Sequence, residues 1–78
     1  MTDPMVGDAI FSVRLVRRLS RRQLGALTDP PLHPARIFKI EHGLTRIRPH
    51  ELQAIVAALD MSVLYELLAR GQEGERHV

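Results

Sequence analysis

Residues 20–43, SRRQLGALTDPPLHPARIFKIEHG, constrain this chain more than any other stretch, because prolines split them into two short segments that each carry helix signals. In the first, Ser20 and Gln23 three residues later make a capping-box pair, while Leu24 and Leu27 supply an inward face. In the second, Pro34 stands at the first helical position, Ile37 and Ile40 point inward, and Gly43 suits the C′ position. Asp29-Pro30-Pro31 cannot continue a helix, since proline lacks an amide donor and biases the residue before it toward extended geometry. The spacing predicts two short helices joined by a turn, a helix-turn-helix with positive charge on one side.

The charge is segregated rather than mixed. Residues 14–48 hold nine of the eleven Lys/Arg and only Asp29 and Glu41 among the acids, a net of +7, which leaves −5 on the rest of a chain whose total is +2. A single arginine in such a stretch is ordinarily a solvated side chain. A cluster of this size around two short helices is the electrostatic footprint of a protein that neutralises phosphates.

Other chemistries find little support. The four histidines, His33, His42, His50 and His77, lack the spacing of metal ligands, and cysteine is absent, so no disulfide or thiolate zinc site is expected. Ser12, Ser20 and Ser62 have no base nearby in sequence, and the lone Gly25 and Gly43 do not form a phosphate-cradling loop. No enzymatic activity, cofactor or small-molecule ligand is expected. The N-terminus has no signal-peptide pattern, and no apolar run approaches the roughly 20 residues of a membrane span.

At 78 residues the chain makes one small domain, and its three aromatics leave an aliphatic core to hold it. Periodicity predicts a first helix over about 7–18 with Val6, Ile10, Val13 and Val16 inward, following a loose arm at 1–5. Phe11 and Leu15 lie off that face, either as extra core or as a patch for another surface. A fourth helix starts near Pro49 and carries Leu52, Ile55, Val56 and Leu59 on one face, with Ala54, Ala57 and Ala58 allowing close approach. Asp60-Met61-Ser62 is read as a break, with Ser62 capping a fifth helix over 63–69 that ends at Arg70-Gly71. Residues 71–78 have no apolar periodicity and are read as a frayed tail. The expected fold is therefore an all-α, compact five-helix bundle with its domain at 6–70.

Ser20, Leu24 and Gly25, followed by Ile40-Glu41-His42-Gly43 at the end of the second segment, form a pattern that resembles the lambda-repressor-like (Xre/Cro-type) helix-turn-helix DNA-binding domains. The resemblance covers about 6–68. One departure is a connection, Asp29-Pro30-Pro31-Leu32-His33, that looks two residues longer than the family's usual turn. The resemblance implies a sequence-specific double-stranded DNA-binding transcriptional regulator, of the small phage or prophage repressor or Cro-like kind, with recognition helix 34–42 in the major groove. Family positions that touch bases match Pro34, Ala35 and Lys39. With Arg36 as a polar reader and His33 as a donor, these five are the candidate base contacts.

Arg14, Ser20, Arg21, Arg22, Arg46 and Arg48 are the candidate phosphate contacts. The resemblance further implies an ion pair between Arg14 and Glu41 that fixes the recognition helix. A homodimer on a palindromic operator is expected, since one such module touches only about half of a typical site. Its candidate interface is Phe11, Leu15, Leu64, Tyr65 and Leu68, with Val63, Leu64, Leu67 and Leu68 spaced as an inward stripe and Tyr65 outward. A cytoplasmic protein of a bacterial cell or phage-infected host is expected. The alternative is an antitoxin or antirepressor-type protein whose main task is to bind another protein.

Overall fold

Four α-helices and their connections build residues 4–76 of the computed structural model, which describes side chains over 5–64 and 67–70. No strand occurs among the described residues. The first helix, α1 (Pro4–Val16), begins earlier than its apolar periodicity suggests, because a proline costs nothing at a position whose amide has no helical partner. Part of the expected arm is therefore helical, and residues 1–3 lie outside the description. The helix closes in a Schellman arrangement: the Arg18 amide donates to Leu15 O at 2.9 Å and the Leu19 amide to Arg14 O at 3.1 Å. Arg18, not a glycine, takes the left-handed position at φ 57°.

The inward stripe of α1 differs from the expected one. Gly7, Ile10 and Arg14 are buried, while Val13 and Val16 are exposed. Gly7 decides this. A Cβ there would come within 2.5 Å of Ile40 O and 2.7 Å of Glu41 O, so the missing side chain lets α1 cross directly over the end of the third helix. That crossing turns the Val13 side of α1 to solvent.

The second helix, α2 (Arg21–Leu27), has the expected capping box: Gln23 N donates to Ser20 Oγ at 3.0 Å and Ser20 N to Gln23 Oε1 at 2.8 Å. Leu24 is fully buried, whereas Leu27, expected inward, is partly exposed. The turn that follows is knitted to one carbonyl. Thr28 Oγ1 donates to Gly25 O at 2.7 Å, and the Leu32 amide donates both to that oxygen at 3.1 Å and to Thr28 Oγ1 at 2.8 Å. Satisfying these buried groups locally is what lets Asp29, Pro30 and Pro31 stay on the surface.

The third helix, α3 (Pro34–Glu41), has Pro34 at its start and Ile37 and Ile40 buried. It ends in a second Schellman arrangement, with Gly43 at φ 67°, its amide donating to Ile40 O at 3.2 Å and that of Leu44 to Lys39 O at 2.9 Å. The N-cap is His33, whose Nδ1 accepts from the Ala35 amide at 3.1 Å. Histidine is not among the usual capping residues, so this role was not legible from residue type.

The fourth helix, α4 (Pro49–Arg76), replaces the two helices expected after Gly43, so the five-helix count becomes four. Asp60-Met61-Ser62 does not break it, because none of the three forbids helical geometry and Ser62 Oγ donates back to Leu59 O at 2.7 Å instead of capping a new helix. Gly71 does not end it either. A mid-helix glycine costs only about 1 kcal/mol, and Gln72, Glu73, Glu75 and Arg76 are good helix formers, so the residues read as a frayed tail are helical through Arg76.

Ile10, Leu24, Ile37, Ile40, Ile55 and Ala58 form the core, with Val6, Leu19, Leu32, Ile47 and Leu59 packed around it. α2 lies against both α3 and α4, and α1 against α3. Only the first half of α4 joins this core. Beyond Val63 every described side chain of α4 is exposed, including Leu64, Leu67 and Leu68, which were expected to face inward. Merging two helices also gives α4 a 22-residue stretch, Pro49–Arg70, that matches a membrane span in length and composition, unlike either expected helix alone. Within it Ile55 and Ala58 are fully buried core residues.

Candidate nucleic-acid interface

Two charged clamps fix α3 in place. At its C-terminal end the Glu41 side chain is fully buried and accepts from Arg14 Nε at 2.6 Å, Arg14 Nη2 at 3.1 Å and Arg21 Nε at 2.8 Å. The ion pair expected between Arg14 and Glu41 is thus present, with α2 added through Arg21. Arg14 also donates to Leu19 O at 2.9 Å, which ties it to the closing turn of α1. Three donors on one carboxylate satisfy a buried charge that would otherwise be costly.

Nearer the start of α3, Arg36 donates to Glu51 through Nε at 2.8 Å and Nη2 at 2.7 Å, to Thr45 Oγ1 at 2.8 Å and to Arg46 O at 3.0 Å. Glu51 accepts in addition from the Arg48 amide at 2.9 Å. The Arg36 guanidinium, helped by that amide, holds the Glu51 carboxyl down at about 2, and the carboxylate in turn raises Arg36. This bidentate pair staples α3 to α4 and to the loop between them.

The clamps reassign two expected contacts. Arg36, expected to read bases, has its donors committed to Glu51, Thr45 and Arg46 O, so it positions the helix instead. Arg14, expected to approach a phosphate, is only 5% exposed and serves the fold. Arg21 stands between these cases, half-buried with Nε on Glu41 and its guanidinium carbon 5.0 Å from the centre of the Phe38 ring.

What α3 leaves to solvent is a stripe of Ala35, Phe38, Lys39 and His42, at intervals of three and four on the side opposite Ile37 and Ile40. Ala35 and Lys39 belong to the expected base-contact set. His33 is exposed at the helix start but uses Nδ1 as the cap, and Pro34 is half-buried. Phe38 and His42 were not singled out from the sequence, although the same interval that marks the inward isoleucines marks them as outward. Their rings are in tilted contact, with centroids 4.2 Å apart and planes inclined by 48°.

No family model, curated protein or solved structure matches this chain. The site itself has to carry the functional reading.

Further cations lie on the segments that adjoin α3. Arg22 shares a shallow groove with Pro31, Leu32, His33 and Pro34 beside the start of α3. Arg46 and Arg48 are exposed on the loop that Arg36 ties to α3. Among the described residues no ion pair holds Arg22 or Lys39, while the charge of Arg48 acts on the Glu51 carboxylate without closing a short ion pair. Ser20 is exposed but occupied as the cap of α2. No group of three or more His, Asp or Glu is disposed for a metal ion among the described residues.

Of the expected dimer surface, Phe11, Leu15, Leu64 and Leu68 are exposed, and the Tyr65 side chain lies outside the described residues. Phe11 and Leu15 are therefore surface rather than extra core, though the helices carrying the two groups make no extensive contact with each other. Phe11 stacks under the Arg14 guanidinium at 5.4 Å.

Proposed function

We propose that this chain is a sequence-specific double-stranded DNA-binding regulator of the lambda-repressor-like type, with α2 and α3 as its helix-turn-helix and α3 entering the major groove. The observation that carries this reading is the outward stripe of α3, held by clamps at both ends and bordered by arginines. A rigid helix with a small, partly cationic outward face suits a groove that admits one helix, and surrounding arginines suit the phosphates on either side. In this arrangement Lys39 and Ala35 face base edges, while Arg22, Arg46 and Arg48 grip the backbone. The net +7 over 14–48 favours the same ligand.

Two copies pair on a palindromic site through the exposed apolar part of α4. That surface also supports the second reading, an antitoxin or antirepressor whose α4 binds another protein. Both readings meet one experiment, selection of binders from a random-sequence duplex library followed by titration of the enriched duplex at several salt concentrations. Under the DNA reading one sequence is enriched, and Arg22→Ala and Arg48→Ala each reduce the log-log salt slope by about 0.9. Lys39→Ala weakens the enriched duplex more than a scrambled one, by roughly 1 to 3 kcal/mol. Retention of no duplex at low salt rejects the DNA reading and leaves the protein-binding one.

A further inference from the structure

Phe38 is the residue on α3 that neither the core nor the clamps explain. Phe38 is 42% exposed, so it fills no core cavity, yet it is not left loose. Arg21, itself pinned by Glu41, lies 5.0 Å from the ring centre, and the His42 ring packs at 4.2 Å. An aromatic side chain left partly at the surface gains less from burial than one in the core. One braced by a cation and a second ring has its position set before any partner arrives, which saves the entropy of ordering it on binding.

From this we infer that Phe38 is a base-reading residue whose ligand is the C5-methyl group of thymine in the major groove, with Ala35 one turn earlier as a second apolar contact on the same stripe. The inference rests on the DNA reading proposed above and goes beyond it by naming the base. In the major groove the thymine methyl is the apolar feature that separates T·A from the other pairs, and a ring edge matches it where a phosphate would gain nothing from a ring. Arg36 cannot share in the readout, since Glu51 holds it. The outward face of α3 is therefore more apolar than its sequence suggests, with Lys39 as its one flexible cation, suited to a guanine beside the thymines. His42 braces the ring, and Arg21 couples its placement to the Glu41 clamp.

The test uses the whole chain and the duplex enriched from a random library, remade with deoxyuridine in place of thymidine. That exchange removes only the methyl groups and keeps base pairing. The wild-type protein is expected to bind the uridine duplex more weakly by about fourfold for each contacted methyl, the worth of one buried carbon. Phe38→Ser, whose fold is checked by its helical circular dichroism and melting temperature, is expected to lose most of the thymine–uridine difference, and Phe38→Leu to keep part of it. Equal wild-type binding to both duplexes, or a difference that survives in Phe38→Ser, overturns the inference while leaving the DNA reading intact. Failure to retain any duplex removes both, and is distinguished from the first result because no sequence is then enriched.

Discussion

Glu51 shows how one carboxylate can hold a surface of this kind together. Its pKa is lowered to about 2, chiefly by the hydrogen bonds from Arg36, so the folded state keeps it ionised where the unfolded chain, with a value near 4.5, would take up a proton. The associated stability is in full force above pH 4.5 and is lost as pH falls toward 2. A shift of this size is worth on the order of 3 kcal/mol. Urea unfolding at pH 7 and pH 3 should show a marked acid loss in the wild type, and in Glu51→Gln both a lower stability at pH 7 and a flatter acid limb. Arg18 makes a smaller and opposite case. Its left-handed backbone, φ 57°, costs an L-residue roughly 1 kcal/mol that a glycine does not pay. Arg18→Gly should therefore raise the melting temperature by a few degrees in a thermal melt, since the gain exceeds the entropy added to the unfolded chain.

The turn between α2 and α3 depends on the side chain that Gly25 does not have. A Cβ there would run into Leu32 O, the backbone of the very turn whose amide bonds to Gly25 O. Gly25→Ala ought to be strongly destabilising, by about 3 kcal/mol as an overpacked site that only backbone movement can relieve. Guanidinium unfolding would register this as a drop in midpoint. A midpoint unchanged from wild type would mean that the turn can move away from α2 without cost. The same packing logic governs α1, where Gly7 allows a crossing over Ile40 and Glu41 that brings Arg14 within reach of the buried carboxylate.

On the scale of the whole molecule, α4 sets the shape. Its 28 residues make a rod of about 42 Å at 1.5 Å per residue, and the molecule measures 54 × 22 × 18 Å. Met61, Leu64, Leu67 and Leu68 are each more than half exposed on the part that leaves the core. Exposed apolar stripes are a common feature of association surfaces, and the dimer proposed above would use this one. If two copies pair through it, sedimentation at micromolar concentration should give twice the monomer mass, and the double variant Leu64→Glu/Leu68→Glu should sediment as a monomer with its helical content unchanged. A monomeric wild type would instead favour a different protein as the partner of α4.

Local signals in the sequence determined the two capped helices around the proline turn, because the Ser20 box, Pro34 and the Gly43 cap act over four residues or fewer and need no neighbour to be recognised. They also determined that Leu24, Ile37 and Ile40 would be inside. The segregated charge was equally legible, being a property of order along the chain. Tertiary contact decided which of those charges remained available. Arg36 looks like Arg22 and Arg48 in sequence, and only the arrival of Glu51 from α4 withdrew it from the surface, whereas the pairing of Arg14 with Glu41 was already implied by the family resemblance. It also decided the face of α1, through a glycine whose value lies in what crosses it, and the outward turn of Leu64 and Leu68. Periodicity shows that a helix has an apolar face, but whether that face is buried depends on how far the rest of the chain reaches along it, and here the core ends before α4 does.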